Sequence, residues 1–138
     1  MNGTLLTIAG LTITVGDLMH ESPNIAADAN WLTVVSAISR HALGAVNVLD
    51  DGGTLLGIIT DGDLRRTIER TKAERLSELT ALDMMTHKPI TVTAELLAYE
   101  ALRLMENRPS QIAVLPVVDQ QGRARGLIRL HDIVRSGL

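Results

Sequence analysis

The segment Thr60-Asp61-Gly62-Asp63-Leu64-Arg65-Arg66 gathers one hydroxyl, two carboxylates and two guanidiniums at a single point of the chain. It follows Gly57-Ile58-Ile59, which reads as the end of a buried strand, and Leu64 and Ile68 behind it have the i, i+4 spacing that starts a helix face. A helix beginning at such a turn offers unpaired N–H groups and a partial positive charge, both suited to a phosphate. Thr60 adds a hydroxyl toward that phosphate. Asp63 can accept hydrogen bonds from a ribose diol, as an acidic residue does in dinucleotide folds. The same residues also suit a purely structural role, because Thr and Asp are preferred helix caps. The spacing alone leaves both readings open.

The second half of the chain repeats the first. Asp17-Leu18-Met19, followed by Pro23, recurs as Asp83-Met84-Met85, followed by Pro89, at an offset of about 66 residues. Gly57-Ile58-Ile59 and Asp63-Leu64 recur as Gly126-Leu127-Ile128 and Asp132-Ile133 at an offset of about 69, with a short insertion near Arg108-Pro109-Ser110 making the difference. Such self-similarity predicts two copies of one supersecondary unit, each too small to enclose a good core alone, stacked about a pseudo-twofold axis. A cleft between them is the natural ligand site.

Elements must position these residues. Asp28 or Asn30 is expected to cap a helix from Trp31 to Arg40 with Leu32, Val35 and Ile38 inward. Ala45 to Leu49 and Leu55 to Thr60 read as paired strands around the hairpin turn Asp50-Asp51-Gly52-Gly53, and a helix from Asp61 to Arg70 closes a β-α-β-β-α unit. Thr71 to Thr80 is polar and reads as a solvated linker. In the second copy, an extended piece spans Ile90 to Val92. Thr93 is expected to cap a helix with Leu97, Ala101, Leu104 and Met105 on its core face. Ala113 to Asp119 reads as a strand in which Pro116 demands an edge or irregular position. Gln120-Gln121-Gly122, Gly126 to Leu130 and His131 to Ser136 give the last turn, strand and helix. The boundaries are a connector at 1–14, repeats at 15–70 and 81–138, and a linker at 71–80.

Composition narrows the function. The 138 residues carry a net charge of −3 with one Trp, one Tyr, no Phe and no Cys. Without a basic stripe or aromatic stacking groups, nucleic-acid binding is not expected. Without cysteine there is neither a disulfide framework nor a thiolate nucleophile, and the cytoplasm is the expected compartment. The apolar opening from Leu5 to Val15 is too short to cross a bilayer, and no Lys or Arg precedes Arg40, so it reads as a connector. His20, His41, His87 and His131 lack the i, i+4 spacing of a metal pair, and no metal site is expected. No Ser lies in a Gly-x-Ser-x-Gly elbow, so no hydrolase triad is expected. The run Arg65, Arg66, Arg70, Lys72 and Arg75 reads first as a solvated helix face, and second as a reach toward an anionic ligand.

Taken together, Asp17-Leu18-Met19 with Pro23, Gly57 to Leu64, Leu115-Pro116-Val117-Val118-Asp119, and Gly126-Leu127-Ile128 with His131-Asp132 resemble a tandem pair of CBS domains, named for cystathionine β-synthase. The resemblance covers nearly all of the chain from Val15. It implies a mixed α/β (α+β) fold of two β-α-β-β-α repeats packed as one pseudo-symmetric Bateman module, which usually binds adenosine-containing nucleotides and regulates an attached protein. Thr60 to Arg66 and the ending Leu130 to Leu138 are further similar to the C-terminal CBS pair of bacterial arabinose-5-phosphate isomerases, enzymes of the pathway to the lipopolysaccharide sugar Kdo. Catalysis in that family belongs to an N-terminal sugar-isomerase domain absent from this sequence, so the chain is expected to be a regulatory module and not itself an enzyme.

Carried over by resemblance, the family's Gly-h-h-Thr/Ser-x-x-Asp motif (h, apolar) falls on Gly57, Thr60 and Asp63, with Thr60 toward phosphate and Asp63 toward ribose. In the second copy Asp132 matches the ribose carboxylate, while Arg129 stands where Thr or Ser is expected. Arg129 either holds a phosphate or carboxylate through a charged fork or forms a structural ion pair. His131 either touches a ligand or caps its helix. Ile25, Ala45, Val46 and Ile58 are the expected base pocket. The resemblance implies AMP, ADP, ATP or a CMP-linked sugar as ligand, no required cofactor, and the sugar-isomerase domain and a second copy of the module as partners. The alternative is a dimerisation unit with vestigial clefts.

Overall fold

The computed structural model describes residues 12–108 and 112–137. Most of the expected connector, and the insertion after Arg108, lie outside that range. A short helix α1 (Val15–Leu18) leads into β1 (Asn24–Ala26), α2 (Trp31–His41), β2 (Ala45–Leu49), β3 (Leu55–Thr60) and α3 (Asp61–Arg70). After a 3-10 turn at Ala73–Glu78, the second repeat runs through α4 (Ala81–Met84), β4 (Thr86–His87), α5 (Ala98–Glu106), β5 (Val114–Val118), β6 (Ala124–Arg129) and α6 (Leu130–Arg135). The hairpin between β2 and β3 forms because Asp50 accepts from the N–H groups of Gly52 and Thr54, both at 2.9 Å, while Gly53 takes φ 86°.

Four strands form one sheet in the order β1-β2-β3-β4, with β1 and β2 parallel and the other pairs antiparallel. The strand β4 therefore belongs by sequence to the second repeat and by pairing to the first. The mirror arrangement holds on the other side: His20 exchanges backbone hydrogen bonds with Leu127 of β6 at 2.8 and 2.9 Å, and Val92 flanks β5. Pro116 is tolerated inside β5 because its carbonyl faces Val92, accepting at 3.1 Å, so its missing N–H removes no bond to β6.

The lead helices cross in the same way. Val15 of α1 is fully buried among Val92, Ala101, Met105, Leu115, Ile128 and Ile133 of the second repeat. Ala81, Met84 and Met85 are buried among Val34, Ile38, Val46, Val48 and Ile59 of the first. Burying one such Val or Met side chain contributes roughly 1.5–3 kcal/mol, so each repeat's core depends on a piece of the other. A smaller cluster of Ala45, Ile58 and Leu127 joins the two sheets, and the Asn47 side-chain amide donates to the Gly126 carbonyl at 3.1 Å.

Two expectations need correction. Leu32 is 71% exposed and Val34 is fully buried; the face of α2 that meets the sheet is Trp31, Val34 and Ile38, set about 100° per residue away from Leu32. Asn30 does cap α2, accepting from the Thr33 N–H at 2.9 Å. Thr93 does not cap α5. That helix begins at Ala98, whose N–H donates to the Ile13 carbonyl at 2.8 Å, so the crossing lead segment supplies the cap. Ala101 and Met105 are buried as expected, with Ala98 beside them and Leu104 at the margin.

The crossing requires two glycines. A Cβ at Gly57 would stand 2.6 Å from both the Met85 sulfur and the Thr86 carbonyl oxygen, and one at Gly126 would strike the His20 carbonyl. Gly57→Ala is expected to destabilise the protein by about 1–3 kcal/mol through overpacking. Gly52→Ala, where the nearest atom is a flexible Asp50 oxygen at 3.5 Å, serves as control. Urea midpoints check this, and equal midpoints for the two variants would contradict it.

Candidate functional site

Thr60 and Asp63 build a reciprocal cap at the start of α3. The Thr60 hydroxyl accepts from the Asp63 N–H at 3.2 Å, and Asp63 Oδ2 accepts from the Thr60 N–H at 2.9 Å and from its hydroxyl at 3.1 Å. Asp63 Oδ1 accepts from Arg66 Nη2 at 2.7 Å and from the hydroxyl of Thr86, on the crossing strand, at 3.1 Å. A carboxylate has about four acceptor positions, and all are taken. The capping alternative is therefore realised, and a ribose diol reaches Asp63 only by displacing a present partner. Arg66 is the most loosely held of these partners, since its side chain is 59% exposed and solvent weakens an ion pair at its exposed end.

The turn forms one wall of a cleft of about 1310 Å³ between the repeats. Ile58, Thr60 and Asp63 come from the first repeat, Ile112 to Pro116 and Arg129 to His131 from the second, and Thr86 to Ile90 cross between them. The floor is apolar. Among the described residues, Arg65, Arg66, Lys88, Arg108, Arg129 and His131 line it together with only two carboxylates, Asp61 and Asp63.

The second clamp is tied differently. Arg129 grips Asp132 through Nε at 2.9 Å and Nη2 at 2.8 Å, and His20 Nε2 lies 3.0 Å from Asp132 Oδ2. His20 is the counterpart of Thr86, one offset earlier, and reaches the other repeat's carboxylate in the same way. Of the two readings of Arg129, the structure realises the ion pair. Burial of Asp132 works to raise its pKa, yet the hydrogen bonds from Arg129 and His20 outweigh it and hold the carboxyl at about 2 against an ordinary 3.8. The same contact raises the Arg129 pKa. His131 does not cap α6; that role falls to Arg129 and Asp132, and the His131 side chain is exposed in the cleft.

Thr60, Asp63, Ile58, Arg129 and His131 are thus brought together, while Asp132 lies behind Arg129. The other expected residues are elsewhere. Gly57 serves the close crossing of β4, Ile25 and Val46 pack in the first repeat's core, and Ala45 is buried between the sheets. The apolar wall opposite Asp63 is instead Val114 and Leu115, the copies of Ala45 and Val46 one offset later. Crossing pairs each clamp with the other repeat's hairpin, and adding 69 to the expected positions finds them. Lys88 and Arg108 also line the cleft and carry no motif, and Pro89 and Ile90, read from the repeat and the extended piece, line it without having been assigned to the site.

The family model described as the CBS domain matches residues 15–70 and 81–138. The chain belongs to the CBS-domain family. Its region matches arabinose 5-phosphate isomerase KdsD of Pseudomonas aeruginosa with 38% identity over 131 residues, covering 93% of this chain and 39% of that protein. The CBS pair thus spans well under half the length of the relative. CBSX2 in complex with AMP shares the fold at TM-score 0.73 and 24% identity, over 91% of this chain and 96% of that one. The CBS domain of a bacterial CNNM/CorC family Mg2+ transporter in complex with ATP does so at TM-score 0.76 and 17% identity, over 96% and 92%. Among the described residues, no helix of this CBS pair is long and apolar enough to cross a membrane.

The depressed Asp132 pKa makes a testable contribution to stability. A carboxyl with a lower pKa in the folded state stabilises above its unfolded value and loses that contribution as pH falls through the folded one. Wild type is expected to lose stability more steeply than Asp132→Asn as pH drops from 3.8 to about 2. Denaturant midpoints across that window check it, and parallel profiles would contradict it.

Proposed function

We propose that this CBS pair binds a nucleotide in the cleft between its repeats and that occupancy biases the arrangement of an arabinose-5-phosphate isomerase domain in a longer, cytoplasmic parent protein. The ligand is an adenosine nucleotide or a CMP-linked sugar. The carrying observation is the cleft itself, which sets the Thr60–Asp63 turn of one repeat against the apolar Val114 to Pro116 hairpin of the other. The base lies on that wall, and the ribose takes the Asp63 position that Arg66 vacates. The CBS-pair structures with AMP and ATP support a nucleotide, and the isomerase relative supports the regulated partner. Regulation requires unequal affinity for two arrangements, typically worth ~1–3 kcal/mol. One ligand per chain is expected, because Arg129, less exposed than Arg66 and backed by His20, holds Asp132 more firmly than Arg66 holds Asp63.

A homodimer is the proposed assembly, supported by Ile68, which α3 leaves 53% exposed. It does not replace the ligand reading.

Calorimetric titration with AMP, ADP, ATP and a CMP-linked sugar tests the site. At least one is expected to bind at one per chain, and Asp63→Asn, which keeps the side chain's size, weakens it by roughly tenfold through loss of a charge-assisted bond. Heat from none of the four, or an unaffected variant that stays folded by circular dichroism, would contradict the proposal.

A further inference from the structure

Lys88 is at odds with its own backbone. It holds φ at 46°, a left-handed value that a residue with a Cβ rarely adopts, and it precedes Pro89, which favours an extended neighbour. Glycine would occupy the position without strain. Among the described residues nothing compensates, since the Lys88 side chain makes no hydrogen bond or ion pair with any of them. It opens instead into the cleft between the repeats.

Three further basic side chains line that cleft without an acidic partner. Arg65 comes from α3 and His131 from α6, and among the described residues neither makes a side-chain hydrogen bond or ion pair; Arg108, just past α5, donates among them to the Leu104 carbonyl at 3.0 Å. By contrast Arg66 and Arg129 are matched by Asp63 and Asp132. Asp61 is the one lining carboxylate left to oppose Arg65, Lys88 and Arg108. An excess of positive charge thus stands in the cleft of a chain whose net charge is −3, drawn from four separate elements that only the folded pair brings together. Thr60, the residue the motif would assign to phosphate, has its hydroxyl spent on the cap.

From this we infer that Lys88, with Arg65, Arg108 and His131, forms a phosphate-chain subsite, and that the cleft selects a nucleoside di- or triphosphate over a monophosphate. The inference rests on the nucleotide reading above and deepens it. Several unmatched cations in a partly enclosed cleft favour a ligand of matching multiple negative charge, and each charge-assisted bond to phosphate is stronger than a neutral one.

Titration of the 138-residue chain with adenosine, AMP, ATP and inorganic tripolyphosphate separates the possibilities. Affinity is expected to rise from adenosine through AMP to ATP, to fall with added salt most steeply for ATP and not for adenosine, and tripolyphosphate should compete with ATP. Lys88→Gly is expected to weaken ATP about tenfold, leave adenosine within about twofold, and raise Tm by relieving the left-handed strain. Lys88→Gln keeps the side-chain stem and should weaken ATP equally. Equal affinity for adenosine and ATP, or an unchanged ATP affinity in either variant, would overturn the subsite while leaving the nucleotide cleft intact. Binding of tripolyphosphate without adenosine, AMP or ATP would uphold the subsite and overturn the adenosine-nucleotide reading. Binding of none of the four would overturn both.

Discussion

Each half of this protein is finished by the other, and that exchange is the constraint on which the rest depends. The segment around Val15 to His20 fills the second repeat's core and sheet edge, and Ala81 to His87 does the same for the first. A single repeat would expose the pocket that its partner's lead helix fills and leave an unpaired strand edge, so neither is expected to be stable alone. The crossing also builds the site. It carries Thr86 to Asp63 and His20 to Asp132, and it sets each clamp against the opposite hairpin. The backbone contact that fixes the fold and the side-chain contact that shapes the cleft lie on the same few residues.

Duplication gave two equivalent turns, and the side chains then diverged. At Thr60 the first repeat has a small hydroxyl; its counterpart Arg129 is long enough to fold back on Asp132 with two nitrogens. Where the first turn has Asp61 and Arg65, the second has Leu130 and Val134, and Lys88 answers to Ser22. Arg65 and Lys88, without acidic partners among the described residues, therefore have no cationic counterparts in the other repeat. Each carboxylate is held by an arginine, but the consequences differ: Arg66 is largely exposed and can leave, whereas the Arg129 side chain is 24% exposed and is backed by His20. The pseudo-symmetric frame thus holds one carboxylate under an exposed arginine and one that is braced from both repeats.

Much of the local structure was legible because short-range chemistry decides it. Asp50-Asp51-Gly52-Gly53 fixes the hairpin and hence β2 and β3, and Thr60 with Asp63 fixes the start of α3. What was not legible arises between the repeats. Thr93 looks like a helix cap until Ile13, far away in sequence, supplies a carbonyl to Ala98. Ala45 and Val46 look like pocket residues until the crossing shows that their copies Val114 and Leu115 face the clamp. Arg129 is open to two readings in the sequence because His20, which braces its partner Asp132, sits in the other repeat. Lys88 has no motif, and only its backbone angle and its position in the cleft draw notice.

The account stands or falls on the ligand touching both repeats at once. Titrating the isotope-labelled chain with ATP while recording amide chemical shifts tests this directly. Perturbations are predicted to concentrate at residues 58–66, 86–90 and 112–116 together, across both repeats and the crossing strand. Shifts confined to one repeat, or gathered on the outer surface around Leu32, Ser36 and Arg40, would contradict it.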